Sequence, residues 1–273
     1  MDCFGVNRAT LFDSIERAIN FGVSARRQEE AGQMSLFHAG STSNSFESEP
    51  VLKEIEEQQL EERCSIEKSF LGFYMTRHPL EIYSEEIDTF STDPVEQAHK
   101  SKRSIVSTAG LIVSKKIIPT KRGEMAFVLV EGRTGTGEVV VFNDVLQKYA
   151  DLFQPGSLVF MDGEVSRRRG DSRFSARKVF QLKNILSELK AGIVLRINGN
   201  NPRMNLLQRA IDYMKEYSGN GEVVVDIRHG SGWRVKGISR SIKVYPESAL
   251  MNKLRELLGN EHVMLSRGKG PRI

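Results

Sequence analysis

Hydrophobic and polar positions follow three different rhythms along this chain. Between 8 and 19, Leu11, Ile15, Ala18 and Ile19 recur at helical spacing behind Asn7, a residue suited to cap a helix by accepting a backbone N–H. A lone amphipathic helix must bury its apolar face somewhere, and residues 1–30 hold nothing else that could cover it. From 51 to 74 the chain is charged and free of glycine until Gly72, with Leu52, Ile55, Leu60, Cys64 and Ile66 spread along it. That pattern predicts one long or two short helices, ended by Pro79, which also biases His78 to an extended backbone.

The rhythm changes at 104, where β-branched runs begin to alternate with turn residues. Strands are predicted over 105–113, 125–130 and 138–142, the last two joined by the glycine-rich segment 132–137. A short helix over 143–153 follows, with Val145, Leu146, Tyr149 and Leu152 inward, and Pro155-Gly156 then turns the chain into a strand over 158–165. A tip at 167–171 leads to a last strand over 174–182. Three strands, a helix and two more strands are the element order of the five-stranded OB barrel.

The remaining stretch predicts strands over 192–198, 222–227 and 233–238 and helices over 205–217 and 246–258. His229-Gly230-Ser231-Gly232 reads as a tight turn between two strands. It lacks the Lys-Ser/Thr ending and the strand-to-helix setting of a phosphate loop. The single Trp233 is expected in the core. The fold class is therefore multidomain: a helical amino-terminal segment over 1–30, a tether over 31–50, an acidic helical connector over 51–103, an all-β OB barrel over 104–185 and a small α+β domain over 190–273.

Composition narrows the picture. The chain has 273 residues, 39% hydrophobic and 27% charged, and no run approaches the ~18 apolar residues of a membrane span. The start, Met1-Asp2-Cys3-Phe4-Gly5, has no basic region followed by an apolar stretch, and Cys3 and Cys64 lie far apart without metal-ligand spacing. Free thiols and a cytoplasmic setting are the expectation. His78 and His99 have no Cys, His or carboxylate at ligand spacing, so both read as structural; no metal, cofactor or catalytic residue is expected.

Charge is segregated. Residues 47–103 carry seven Lys and Arg against fourteen Asp and Glu, residues 104–189 thirteen against nine, and residues 190–273 fifteen against seven. Two basic modules behind an acidic connector favour a polyanionic partner. An OB barrel that binds single strands needs cations for phosphates and flat platforms for bases. The cations are Lys115, Lys116, Lys121 and Arg122 in the loop predicted after the first strand, Arg133 in the second loop, and Arg167, Arg168, Arg169, Arg173 and Arg177 on the last hairpin. The aromatics Phe127, Phe142, Phe160, Phe174 and Phe180 fall mostly where a barrel core would want them. Binding is therefore expected to be weak and through the nucleic-acid backbone.

One further motif stands in the tether. Gln33-Met34-Ser35-Leu36-Phe37 sets an amide and a pair of large apolar side chains between Arg26–Glu30 and the serine-rich run 40–45. Leu36 and Phe37 have nothing local to pack against, so a partner's pocket could capture them, with the Gln33 amide fixing register.

Several of these features resemble the bacterial DNA polymerase III alpha subunit. Leu71-Gly72-Phe73-Tyr74-Met75-Thr76-Arg77-His78-Pro79-Leu80 resembles the signature that leads into that family's OB domain, with Arg77 where glycine is common, a departure a surface turn should absorb. Residues 7–19 look like the helix after its tandem helix-hairpin-helix region, and Gln33, Leu36 and Phe37 match its internal sliding-clamp-binding peptide. The resemblance covers essentially the whole chain. It implies a clamp tether, a barrel near single-stranded template DNA, and a carboxy-terminal domain that in many relatives docks the tau subunit of the clamp loader, all as part of a larger polymerase chain. Met1-Asp2 falls where the family usually has Phe-Asp, implying that Met1 is an internal methionine. The palm with its metal-binding aspartates is not represented here, so the parent DNA-directed nucleotidyltransferase activity is not expected of this chain alone. The alternative from another class is a free-standing OB-fold single-strand-binding protein, or an adaptor that joins clamp and loader.

Overall fold

The computed structural model describes residues 5–30, 52–57, 60–121, 123–168, 171–200 and 204–268. The chain divides into two compact units, residues 1–76 and 77–273. The clamp-type peptide at 33–37, together with Arg122 and Arg169, lies outside the described residues.

The first unit holds helices α1 (Arg8–Glu30) and α2 (Leu60–Leu71). Asn7 caps α1 as anticipated: its Oδ1 accepts the Thr10 N–H at 2.8 Å, and its Nδ2 donates to the Ile55 carbonyl at 2.6 Å. The face that α1 buries differs from the apolar stripe. Thr10 and Ser14 are buried, and the Thr10 hydroxyl accepts the Ile55 N–H at 2.9 Å, whereas Ile15 and Ile19 are 41% and 59% exposed. Residues 52–57 are not helical, so the helix expected over 51–74 begins only at Leu60.

Glu67 of α2 is the polar centre of this unit. Its carboxylate accepts the Thr76 hydroxyl, the Thr76 N–H at 2.8 Å, the Met75 N–H at 2.9 Å and the Arg8 guanidinium at 3.1 Å. These donors, the Thr76 hydroxyl foremost, bring its pKa down to about 2. A depressed carboxylate stabilises the fold above its unfolded value near 4.5 and loses that contribution as pH falls toward 2. Glu67→Gln should therefore remove part of the acid sensitivity and cost ~1–3 kcal/mol near neutrality, because it replaces one of the two acceptor oxygens in a part-buried network of four donors. Hydrogen exchange of α2 between pH 5 and pH 2 checks this; identical profiles for variant and parent would refute it.

The second unit opens with a correction. Pro79 begins a helical turn rather than ending one: Pro79–Tyr83 is a 3₁₀ helix capped by His78, whose backbone is extended and whose Nδ1 accepts the Leu80 N–H at 3.2 Å. A proline at the first helical position forfeits no hydrogen bond, since that N–H has no intrahelical partner. Helices α3 (Ser84–Phe90) and α4 (Val95–Ala98) follow. Leu80, Ile87 and Phe90 pack with Phe160, Leu182, Ile185 and Leu189 in a cluster beside the barrel, while Val95 and Ala98 join the barrel core itself.

The barrel is built of β1 (Ile105–Thr120), β2 (Gly123–Glu131), β3 (Thr136–Val141), β4 (Leu158–Arg168) and β5 (Asp171–Gln181), closed in the order β1-β2-β3-β5-β4. Its one parallel pairing is β3 with β5. β1 serves two partners, pairing with β4 up to Leu111 and with β2 from there on, and a bulge between Ile112 and Ser114 marks where it bends. Ala126, Val128, Val130, Val139, Val141, Val159, Met161 and Phe174 point inward with the period of two that strands impose. Gly163 sits at a second bulge, and a Cβ there would lie 2.2 Å from the Ser175 carbonyl oxygen, so no other residue fits the crossing. Helix α5 (Asn143–Lys148) packs Val145 and Leu146 against the core and passes into the 3₁₀ turn Ala150–Leu152, which is why the helix expected over 143–153 is shorter.

After α6 (Ile185–Glu188), the carboxy-terminal domain forms a sheet of β6 (Gly192–Asn198), β7 (Ser218–Arg228), β8 (Arg234–Val244) and β9 (Val263–Ser266), ordered β8-β7-β6-β9. Only β6 and β7 run parallel, joined by α7 (Met204–Glu216). The helices α7 and α8 (Ser248–Leu258) contribute Ala210, Met214, Leu250, Met251 and Leu254 to a core with Ile193, Leu195, Val223 and Val263. β9 was not foreseen. Trp233 is not in the core: it is 49% exposed and stacks on His229 with ring centres 4.8 Å apart. Just past β9, Arg267 donates to Asp162 at 2.9 Å and to the Ser107 hydroxyl at 3.0 Å, tying this sheet to the barrel strands β4 and β1.

Candidate nucleic-acid interface

With the core residues of β2 and β5 pointing inward, alternation turns the intervening ones outward onto one continuous face. Its register is explicit: Lys116 on β1 is opposite Phe127 on β2, Phe127 is opposite Val140 on β3, Val140 is opposite Ser175 on β5, and Ser175 is opposite Glu164 on β4. Arg173 and Arg177 flank Ser175 on the same side of β5. The Arg173 guanidinium lies over the Phe127 ring, 5.8 Å from its centre, and Arg177 pairs with Glu164 at 3.1 Å. Phe142, just beyond β3, is 42% exposed. A cavity of about 490 Å³ opens here, lined among others by Val140, Phe142, Arg173, Ser175 and Arg177. That size falls in the ~300–1,000 Å³ range of small-ligand clefts.

This arrangement offers an aromatic surface beside guanidinium groups, the combination that takes a base by stacking and a phosphate by charge. Lys116, Arg173 and Arg177 face Glu138 and Glu164 on the same outer surface, so its positive excess is small. Among the described residues no group of three or more His, Cys, Asp or Glu could hold a metal ion.

The cations picked from the sequence are dispersed. Lys115 and Lys116 do not lie in a loop but on β1, which continues to Thr120 as one arm of a projecting hairpin with β2. Lys116 faces the groove side; Lys115 faces the other way and donates to Gln154 Oε1 at 3.3 Å. Lys121 stands exposed in the turn of that hairpin. Arg133 pairs with Asp88, and Arg167 donates to the carbonyl oxygens of Ser101 and, at 3.1 Å, Arg103. The side chain of Arg168 is not among those described. Among the described side chains, only Lys116, Arg173 and Arg177 of this set therefore meet on the open face. Phe127 and Phe142, assigned to the core from sequence, are its aromatic members, whereas Phe160 and Phe174 are indeed buried.

Fold and face together define an OB barrel with an exposed aromatic and guanidinium surface, and residues 106–199 match the tRNA anti-codon family, an OB-fold nucleic acid binding domain. The likeness extends well beyond the barrel. The chain is similar to DNA polymerase III subunit alpha of Pseudomonas aeruginosa, 26% identical over 96% of this chain and 22% of that protein. For the same subunit of Bacillus subtilis the figures are 26%, 98% and 23%, and for Halalkalibacterium halodurans 29%, 95% and 22%. The chain thus matches the OB-fold-bearing carboxy-terminal region of DNA polymerase III alpha subunits, and it spans less than a quarter of the length of these relatives. Among solved structures, it is similar to the second OB-fold domain of replication protein A from Methanococcus maripaludis, with 17% identity over 28% of this chain and 80% of that one and a TM-score of 0.22. The mitochondrial single-stranded DNA binding protein Rim1 of S. cerevisiae gives 17%, 29%, 95% and 0.26. No helix among the described residues is long and apolar enough to cross a membrane.

Proposed function

We propose that this chain is a non-catalytic portion of a replicative DNA polymerase alpha subunit, holding single-stranded template DNA on the outer face of its barrel while its tether binds the sliding clamp. The observation that carries the reading is the Phe127–Arg173 pair on the open face of a barrel whose whole chain matches polymerase III alpha subunits. A base stacks on Phe127 and Phe142 while Lys116, Arg173 and Arg177 take phosphates, so affinity is modest and largely independent of sequence. The carboxy-terminal domain faces the tau subunit of the clamp loader in this scheme, and the rest of the polymerase chain supplies the chemistry.

Each phosphate contact on a single strand adds about −0.7 to the slope of log affinity against log salt. Arg173→Ala with Arg177→Ala should therefore flatten the slope by roughly 1.4 and weaken all oligonucleotides alike. Fluorescence anisotropy of a labelled oligonucleotide at several salt concentrations reads this, and a double variant with the parental slope and affinity would discard the barrel face as the site.

The tether is tested separately. Leu36 and Phe37 fill a pocket on the clamp and Gln33 sets orientation. Truncating a buried interface anchor costs ~2 kcal/mol or more, so Leu36→Ala with Phe37→Ala should lower clamp affinity by about 30-fold or more. Calorimetry with purified clamp decides the point: equal affinities for parent and double variant refute the tether assignment.

A further inference from the structure

We propose that the outer edge of β8 is a docking site for a protein partner that lends an extended acidic segment, which pairs with residues 234–238 as an added strand of the carboxy-terminal sheet. Neither the barrel face nor the tether bears on this site. The sheet ends in two edges, β8 and β9. The β9 edge has four residues, and Arg267 just beyond it is held by Asp162. The β8 edge has eleven, and all five residues from Arg234 to Ile238 are exposed.

The backbone of this edge is arranged for pairing. β8 keeps regular antiparallel register with β7 from Arg234 to Ile238, and the ladder breaks before Lys243, where the Ile242 N–H turns to the Ser239 hydroxyl at 3.1 Å. At the turn, the His229 N–H donates to the Trp233 carbonyl at 3.1 Å. Bonded pairs alternate along an antiparallel ladder, so the next ones are Ile227 with Val235 and Val225 with Gly237. The N–H and C=O groups of Arg234, Lys236 and Ile238 therefore point away from β7, and among the described residues no strand lies there to meet them. The faces beside the edge are open as well. The helices that cover Ile193, Leu195 and Val223 leave Val235 51% exposed, and a Cβ on Gly237 would meet nothing within 4 Å. On the other face, Ile238 is also half exposed. A strand laid ~4.8 Å outside β8 thus finds donors, acceptors and room.

Charge selects what that strand must carry. β8 holds Arg234, Lys236, Arg240 and Lys243 and no carboxylate. Asp226, the buried acid behind it on β7, already accepts Arg234 at 2.6 Å and Arg228 at 3.2 Å. Lys236 is opposite Asp226 in register, yet it makes no ion pair among the described residues. Two β8 strands laid side by side would set cation against cation, which is how natural edges resist pairing with their own copies. A nucleic-acid strand offers phosphate acceptors but no row of donors for the outward carbonyls. An extended acidic peptide supplies both. Its carboxylates at alternate positions come within cross-strand reach of Arg234 and Lys236, at ~4.5–5.5 Å between Cβ atoms, and an apolar residue two places further on covers Ile238. The position between them on the reverse face meets Val235, so an apolar side chain fits there.

The probe is a labelled peptide of alternating Glu and Val, titrated into the full chain and read by anisotropy. Alongside it run the same peptide N-methylated at every second amide, in both phases, and a peptide of alternating Lys and Val. Saturable binding of the Glu peptide that weakens with salt is expected, with none by the Lys peptide. N-methylation should cost about tenfold or more in one phase only, the phase whose amides face β8. The Glu peptide should also slow amide exchange at Arg234, Lys236 and Ile238. Lys236→Glu reverses a cross-strand pair and should weaken binding about three- to tenfold. Ile238→Pro removes an outward N–H without touching the β7 ladder and should weaken it about fivefold or more. If that variant does not fold, Lys236→Glu and the methylated peptides decide. No binding of the Glu peptide, equal affinity for both methylated forms and the parent peptide, or parental affinity in Lys236→Glu would overturn the proposal. So would exchange at these amides slowed by a dimer of the chain alone, which makes a second copy the occupant, or slowed equally by oligothymidylate, which makes it nucleic acid.

Discussion

Arg267→Ala should destabilise the unit over residues 77–273 by ~3–5 kcal/mol, the cost of leaving a buried ion without its partner. Asp162 is buried on β4, and it accepts the Ser107 hydroxyl and the Arg267 guanidinium. Arg267 also touches the Phe90 carbonyl at 3.5 Å, so a single side chain from beyond β9 serves barrel and flanking helix together. For a unit of this size the loss corresponds to a fall in Tm on the order of 10 °C. A double-mutant cycle with Asp162→Asn distinguishes ion from packing: if the unpaired carboxylate is the cause, adding Asp162→Asn to Arg267→Ala restores much of the loss. Calorimetric scans of the four proteins give the answer, and a Tm within 2 °C of the parent for Arg267→Ala would contradict the role assigned to this pair.

That pair also marks a limit of sequence reading. Nothing in the local pattern around Arg267 signals a partner on β4, because a contact so far apart in sequence is decided by topology. The short run Val263-Met264-Leu265-Ser266 became a strand only because β6 offered an open edge to it. The element order of the barrel, by contrast, was legible, since its inward valines obey a period of two and the turns carry glycine or proline. Where β1 runs past the barrel into the hairpin with β2, both of its faces are wet. The period vanishes there, and Lys115-Lys116 looked like a loop.

The aromatics show why the face was harder to read than the fold. In Met125-Ala126-Phe127-Val128-Leu129-Val130 every residue is apolar, so hydrophobicity does not say which set points inward. Size could have said it: a small barrel closes on Ala126, Val128 and Val130, which leaves Phe127 and Leu129 outside. Trp233 followed the habit of placing large aromatics in cores, although its position between Gly232 and a strand-opening arginine already set it at a turn. Thr10 and Ser14 are the converse case, polar residues buried because Ile55 hydrogen-bonds the Thr10 hydroxyl and the Thr10 carbonyl accepts the Ser14 hydroxyl. Pairing across strands and across segments, not local composition, decides such positions.

Phe127→Ala combined with Phe142→Ala should reduce the affinity of the full chain for single-stranded DNA by about 30-fold or more, since each base stacked on an aromatic ring contributes ~1–3 kcal/mol. Neither ring belongs to the barrel core, so the Tm should stay within a few degrees of the parent. Phe127 should matter more. It sits mid-sheet between Lys116 and Val140 with the Arg173 guanidinium over its ring, so its loss removes a platform and frees the cation that flanks it. The salt dependence separates stacking from charge: removing the rings lowers affinity at every salt concentration while the slope of log affinity against log salt stays nearly constant, because the phosphate contacts remain. Removing Arg173 and Arg177 instead flattens the slope, so that the loss of affinity is largest at low salt and shrinks as salt rises. A conservative Phe127→Tyr should retain most of the affinity, whereas Phe127→Leu, similar in apolar bulk but without a π-face, should not. Anisotropy titrations with a labelled oligothymidylate at three salt concentrations test all four variants. Parental affinity in the Phe127, Phe142 double variant, or equal rescue by leucine and tyrosine, would show that bases do not stack on this face.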